Sequence, residues 1–283
     1  MRLIISHQTN YFYEQLALRS VQYIRMTPMT LPHQTIHNWQ VMLPKVAQMQ
    51  TDGFGNQWLT LSRHEPHNNL QIQAFGEVEI NADTLFIPDN QQVPYQIFAV
   101  PTKLTQCSEA MREFAHDALE QFLQSEDIDA QLAILKSLAK DLLDKMPYTK
   151  SVTHVGTTAE QAFAMAAGVC QDHTHVFLAL LRDKGIAARY VSGYIYEATQ
   201  AHMASHAWAE VWLAGNWYTF DISNQHFTPN CHVYIAFGRD YADAAPVRGV
   251  RTGGGDERLY SQVMVSTSPQ YIPQLNAQFA AQQ

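Results

Sequence analysis

The segment from Gly168 to Gly185 leaves the chain little freedom, and it begins by setting a thiol at the start of a helix. Val176, Phe177, Leu180 and Leu181 recur at helical period and make one apolar stripe. Arg182 and Lys184 suit the negative end of the helix dipole, and Gly185 stands where a helix commonly stops. Gly168 breaks whatever precedes it, which puts Cys170 in or just before the first turn. Free backbone N–H groups and the positive dipole end favour a thiolate there and can hold a developing oxyanion. Taken alone, the segment is equally open to a plainer reading, a small buried cysteine that only packs.

The chain beyond Gly185 supplies the partners such a thiol would need. Residues 188–196 are aromatic and β-branched and read as a strand. A polar connection, 197–205, leads to a second strand opening on His206, and a third runs from Asn216 to Asp221. If Ala214-Gly215 is a two-residue hairpin loop, Trp208 lies opposite Asp221, and Asp221 becomes a same-face diagonal neighbour of His206. Gly215-Asn216 is the alternative two-residue turn; it keeps both residues on one face but further apart. A three-residue loop would break the parity. Thiol, imidazole and carboxylate in this order are the components of nucleophilic acyl transfer: attack on a carbonyl, proton transfer, and orientation of the imidazole.

Upstream, residues 1–100 read as strands. Polar and apolar residues alternate over 21–25, 34–41 and 70–75, and Asp52-Gly53-Phe54-Gly55-Asn56 marks a hairpin turn. His7, His33, His37, His64 and His67 are scattered through this region and read as surface or strand-face residues. Residues 81–103, with Pro88, Pro94 and Pro101, read as a linker. Helical patterns follow from Ser108, then over 130–143 with Leu135, Leu138 and Leu142 on one face. A short helix over 159–167, capped by Thr157 or Thr158, ends at Gly168. The expected division is a β-rich domain over 1–100 and a second domain over 101–283.

Charge and cysteine usage narrow the function classes. A net charge of −8 without a basic cluster argues against a nucleic-acid partner, and no apolar run approaches the ~18 residues of a membrane span. The N-terminus lacks the pattern of a secretory signal, and the three cysteines, Cys107, Cys170 and Cys231, form no CxxC pair. A reducing, cytoplasmic setting is therefore expected, with Cys107 and Cys231 as packing or surface thiols. His173 and His175 diverge on a helix, and His202, His226 and His232 lack ligand spacing, so neither metal nor cofactor is expected. Gly253-Gly254-Gly255 lacks the context of a phosphate-binding loop and reads as a mobile loop, and the tail over 277–283 as frayed.

Gly-Val-Cys-Gln-Asp at 168–172, Ala-Arg-Tyr-Val-Ser-Gly-Tyr at 188–194, His-Ala-Trp-Ala-Glu-Val-Trp at 206–212 and Trp-Tyr-Thr-Phe-Asp at 217–221 resemble the transglutaminase-like superfamily, in its bacterial cysteine-peptidase-like branch. His7, Tyr11, Tyr13, Trp39 and the turn at 52–56 are similar to that branch's β-rich N-terminal region, and Gly238 to Asp243 with Pro246 to Val250 to its C-terminal part. The resemblance implies an α+β fold: a sandwich-like N-terminal domain, then a papain-like core of helices packed on an antiparallel sheet. It implies Cys170 as nucleophile, His206 as base and Asp221 as orienting acid. Gln171, Asp172 and Trp208 are expected as substrate-binding or wall residues, Asp172 as a helix N-terminal charge rather than a catalyst, and Glu210 as a structural partner. His173 and Thr174 replace an aromatic residue and Ala, implying a more polar rim; Ile222 and Ser223 replace Pro and Thr after the acid. The expected activity is hydrolysis of a peptide or other amide through a thioester. Transfer to an amine and a catalytically inactive peptide-binding module are the alternatives, with no nucleic acid or membrane partner and the oligomeric state open.

Overall fold

A computed structural model of the chain describes residues 1–197 and 205–267. His202 and the tail over 277–283 lie outside the described residues. Five strands come first: β1 (Arg2–Ile24), β2 (Gln34–Met42), β3 (Gln48–Thr51), β4 (Gln57–Arg63) and β5 (His67–Ile80). A two-residue β6 (Ile87–Pro88) and a 3-10 turn over Tyr95–Ala99 lead to α1 (Glu109–Gln124), α2 (Ile128–Lys145), α3 (Ala159–Met165) and α4 (Cys170–Asp183). Then follow β7 (Ala188–Ile195), β8 (His206–Leu213), β9 (Asn216–Phe220), β10 (His232–Gly238), α5 (Tyr241–Ala244), β11 (Val247–Gly253) and β12 (Glu257–Ser266).

The helices begin where side chains can satisfy their free N–H groups. Ser108 caps α1, Asp127 caps α2, and Thr158 with Gln161 forms a capping box on α3. The third helix stops at Met165 because Ala166 takes a left-handed conformation (φ 50°), two residues before the glycine expected to end it. Leu135, Leu138 and Leu142 are buried along α2, as their spacing requires.

β1 organises the first sheet. Its early half pairs with β5 on one side and β12 on the other, and Ser20 to Ile24 pair with β4 and β11. A register break between Phe12 and Ala17 lets one strand serve both sets of neighbours. The triple-glycine run joins β11 to β12 and is tied into this break: Gln15 N–H donates to Gly254 O at 2.9 Å and Gly254 N–H to Leu16 O at 3.1 Å.

The second sheet has the order β10-β7-β8-β9-β6. On one face Ala207, Ala209 and Val211 pack with Val176 and Leu180 of α4 in a core that extends to Leu3, Ile5 and Val78 of the first sheet. On the other face Trp208, Trp217 and Tyr234 pack with Ile87 and Phe98. The expected α+β architecture, a β-rich N-terminal region with helices on an antiparallel sheet, is the one observed.

The expected division near residue 100 does not coincide with sheet membership. β11 and β12 return to β1, while β6 crosses to pair with β9. Nor is 81–103 a free linker. Ile87 and Phe98 are buried, and Tyr95 stacks on Trp212 with ring centroids 3.9 Å apart. Among the N-terminal histidines, His7 and His67 lie on β1 and β5 as strand residues and are buried, and His33 is buried outside the strands. His7 Nδ1 lies 2.9 Å from the Tyr194 hydroxyl, and burial lowers its pKa to about 4. No described helix is long and apolar enough to cross a membrane.

Arg182 fastens these pieces together. Placed by its sequence position to favour the end of α4, it is instead buried, donating to the carbonyls of Phe98, Ala188 and Arg239 and to the Thr105 hydroxyl. Arg182→Met removes the donor from four buried acceptors at once. It should lower unfolding stability by about 3 kcal/mol or more, read from the urea midpoint at unchanged slope.

Candidate active site

Cys170 is the first residue of α4. The helix can start there because Asp172 folds back over it, its Oδ2 accepting from Val169 N–H at 2.8 Å and from the Thr153 hydroxyl at 2.6 Å. Gly168 makes room for this: a Cβ there would lie 2.6 Å from the Asp172 Cβ. Asp172 is buried, so it acts on the helix start and not on a bound substrate, correcting its expected place in the site wall. Gln171 is half-buried beside the thiol, and its Nε2 donates to Val155 O at 3.2 Å. As the first helical residue, Cys170 has a backbone N–H that the helix leaves without a partner.

The β8–β9 hairpin sets the other two groups. Leu213 pairs with Asn216 and Ala209 with Phe220, so Ala214-Gly215 is the loop. Both loop residues have positive φ (47° and 84°), the geometry of a two-residue turn that matches strand twist. That register carries Asp221 to the diagonal of His206, whose Nε2–H donates to Asp221 Oδ2 at 2.7 Å. Asn224 Nδ2 donates to the same oxygen at 2.9 Å, and its backbone N–H to Oδ1 at 3.2 Å. The departure from Pro and Thr in this loop leaves the acid in place: Ile222 is buried in the main core and Ser223 Oγ lies 2.8 Å from His173 Nδ1.

Burial acts most strongly on the His206 imidazolium and disfavours it. The Asp221 charge, the hydrogen bond to it and a hydrogen bond with Cys170 outweigh that effect and lift the His206 pKa well above 6.5. Burial alone would raise the Asp221 pKa; the charge and hydrogen bond of His206, with the hydrogen bond from His232, hold the carboxyl far below its usual range instead. His206 is thus hydrogen-bonded to Asp221 and within electrostatic reach of Cys170.

Other expectations resolve differently. Trp208 is fully buried and stacks on His206 with centroids 6.0 Å apart, so it covers the imidazole from inside and is no open wall. Glu210 is the structural partner expected of it, bonded to Arg189 at 2.6 Å and to the Tyr234 hydroxyl at 2.8 Å. His173 and Thr174 are buried, so they do not make the rim polar; His173 Nε2 lies 2.7 Å from Met146 O.

Two residues at the site, Asn224 and Tyr148, were given no role by sequence, and a third, His232, was weighed there only as a metal ligand. Asn224 braces the acid as described, and a second imidazole, His232, donates to Asp221 Oδ2 at 3.0 Å. Tyr148 is exposed next to Gly168, within electrostatic reach of Cys170, Asp172 and Asp221; partial burial and those charges push its phenol up to about 12. Tyr148 and His232 sit in segments whose patterns mark only a helix end and a strand start.

Residues 119–222 match the Transglutaminase-like superfamily, and residues 3–79 the Bacterial transglutaminase-like N-terminal region. An uncharacterized protein of Mycobacterium leprae is 26% identical over 268 residues, spanning 90% of this chain and 94% of that protein. An uncharacterized protein of Mycobacterium tuberculosis is 26% identical over 282 residues, spanning 88% and 87%. Among solved structures, a candidate cysteine protease from Cytophaga hutchinsonii shares the fold with a TM-score of 0.73 at 21% identity, covering 94% of this chain and 90% of that one.

If Asp221 is what keeps His206 charged, Asp221→Asn leaves burial as the dominant influence. The His206 pKa should then fall toward or below 6.5, followed by the NMR titration of its ring protons. An unchanged titration would assign the shift to another group.

Proposed function

We propose that this chain, whose residues 119–222 belong to the transglutaminase-like superfamily and follow a bacterial transglutaminase-like N-terminal region, is a cysteine-dependent amide hydrolase. The observation that carries the reading is His206, hydrogen-bonded to the buried Asp221 and within electrostatic reach of Cys170 at the start of α4.

In the proposed reaction the Cys170 thiolate attacks the amide carbonyl. The new S–C bond sends the C=O electron pair onto oxygen, where the free N–H at the start of α4 meets it. His206 passes its proton to the leaving amine as the C–N bond breaks, leaving a thioester. Water then attacks the thioester while His206 takes its proton, and the carboxylic acid leaves as the thiolate is restored. Asp221 keeps the imidazole in one orientation and stabilises its charged form throughout. The substrate class is a peptide or a smaller amide. Water is the acceptor preferred here, and incorporation of an added amine into product would assign transfer instead.

The three thiols differ in setting, which makes the reading testable. Burial pushes Cys107 up to about 11 and Cys231 up to about 12, with neighbouring carboxylates adding to both. Iodoacetamide should therefore label Cys170 alone below about pH 8, and His206→Ala should abolish that advantage. In a peptide-library assay His206→Ala should slow hydrolysis by about 10²- to 10⁴-fold, and Cys170→Ala should remove it. Mass spectrometry showing the three cysteines labelling alike would favour a non-catalytic binding module.

A further inference from the structure

Asp221 holds a second imidazole for which acyl transfer has no use. His232 is fully buried, and a carboxylate can only accept, so the proton lies on Nε2 and Nδ1 keeps a lone pair that accepts from the Cys231 thiol. That lone pair faces the Cys231 sulfur at 3.7 Å. A ring nitrogen of His226 completes the group, the three ligand-type atoms lying within 4.8 Å of one another. In a tetrahedral site with bonds of ~2.3 Å to sulfur and ~2.0 Å to nitrogen, the sulfur–nitrogen edge is about 3.5 Å. The Cys231–His232 separation of 3.7 Å is close to that edge.

The backbone beneath these groups is fixed. Asp221 and His226 exchange two backbone hydrogen bonds, at 2.9 and 3.1 Å, which close the loop between them. Cys231 O accepts from Tyr196 N–H at 2.9 Å, and His232 opens β10. The His226 ring is held through Nε2 by Asn230 Oδ1 at 2.7 Å and the Thr228 hydroxyl at 3.2 Å. His226 and Cys231 are only partly buried, which leaves a way in from solvent.

We propose that His226, Cys231 and His232 form a binding site for one divalent, borderline-soft cation of the zinc class, with Cys231 as thiolate and water in the fourth position. The Cys231 thiol proton is lost to solvent as the sulfur–metal bond forms. Asp221 and His232 then act as the carboxylate–histidine pair that orients a metal-bound imidazole and sets its tautomer. A second compact set, His206, Asp221 and His232, is less suited. Its members already meet at Asp221 Oδ2, which His206, His232 and Asn224 share, and a cation there would have to break those bonds.

The test is to titrate Zn²⁺ and Co²⁺ into the metal-free full chain and into its Cys170→Ala variant. One Zn²⁺ per chain is expected by equilibrium dialysis in both, and the Co²⁺ form should show the near-ultraviolet band of a thiolate-bound cobalt. Cys231→Ser should abolish that band and weaken Zn²⁺ binding about 100-fold or more, since losing even an outer partner of a ligand costs about 10- to 100-fold. His226→Gln should weaken binding at least about tenfold, with both variants matching the parent in circular dichroism. Absence of micromolar Zn²⁺ binding, or binding unchanged by Cys231→Ser, overturns the proposal. Binding lost in Cys170→Ala would overturn it equally, by placing the cation on the catalytic thiol.

Discussion

The site depends on one buried carboxylate. Taking Asp221 out of water costs several kcal/mol unless its oxygens are met by donors, and here four donors meet them: two imidazole N–H groups, the Asn224 amide and the Asn224 backbone N–H. In a dry interior these hydrogen bonds are strong, and each becomes costly if it is lost. The surrounding packing serves that requirement. Trp208 and Tyr234 keep water from the face on which the acid sits, and the Ala214-Gly215 turn puts the acid in register with His206. A hairpin one residue out of register would put Asp221 on the other face of the sheet, unpaired among apolar side chains.

The parts of this arrangement that were legible are those set by local period. Helical spacing placed Cys170 at the start of α4, and two-residue spacing placed His206 and Asp221 on one face once the turn was counted. Two turns had been open by sequence, and the one adopted contains Ala214 in a left-handed conformation, which composition does not favour. Residues whose roles come from long-range pairing carried no such signal. His7 looks like any strand histidine until Tyr194 and Ser261 are brought to its two ring nitrogens. Arg182 looks like a helix C-terminal charge until three chain segments present their carbonyls to it. His173 and Thr174 sit at helix positions that sequence cannot orient, and both turn into the core.

Domain boundaries were the least legible feature. Prolines at 88, 94 and 101 mark a chain that cannot make regular structure for long, and that much is true of it. What the prolines do not reveal is that Ile87 and Phe98 are anchors on the second sheet, nor that β11 and β12 return to β1. The long β1 is possible only because its partners arrive from both ends of the chain, a fact absent from any window of the sequence.

His206 and His232 share one oxygen of Asp221 but need not share a protonation state. One carboxylate offsets one imidazolium; a second buried cation beside it would have no partner. Burial is the largest influence on both, but the charge and hydrogen bond of Asp221 outweigh it at His206, which is lifted well above the ordinary value, and not at His232, which is lowered. Two like groups driven apart in this way take different roles. In the proposed reaction His206 is the one that carries a proton to a leaving group. His232, its Nε2 proton engaged with Asp221, turns Nδ1 toward the thiol of Cys231. On the two proposals made above, a single buried charge serves one histidine that gives a proton and its neighbour that binds a cation.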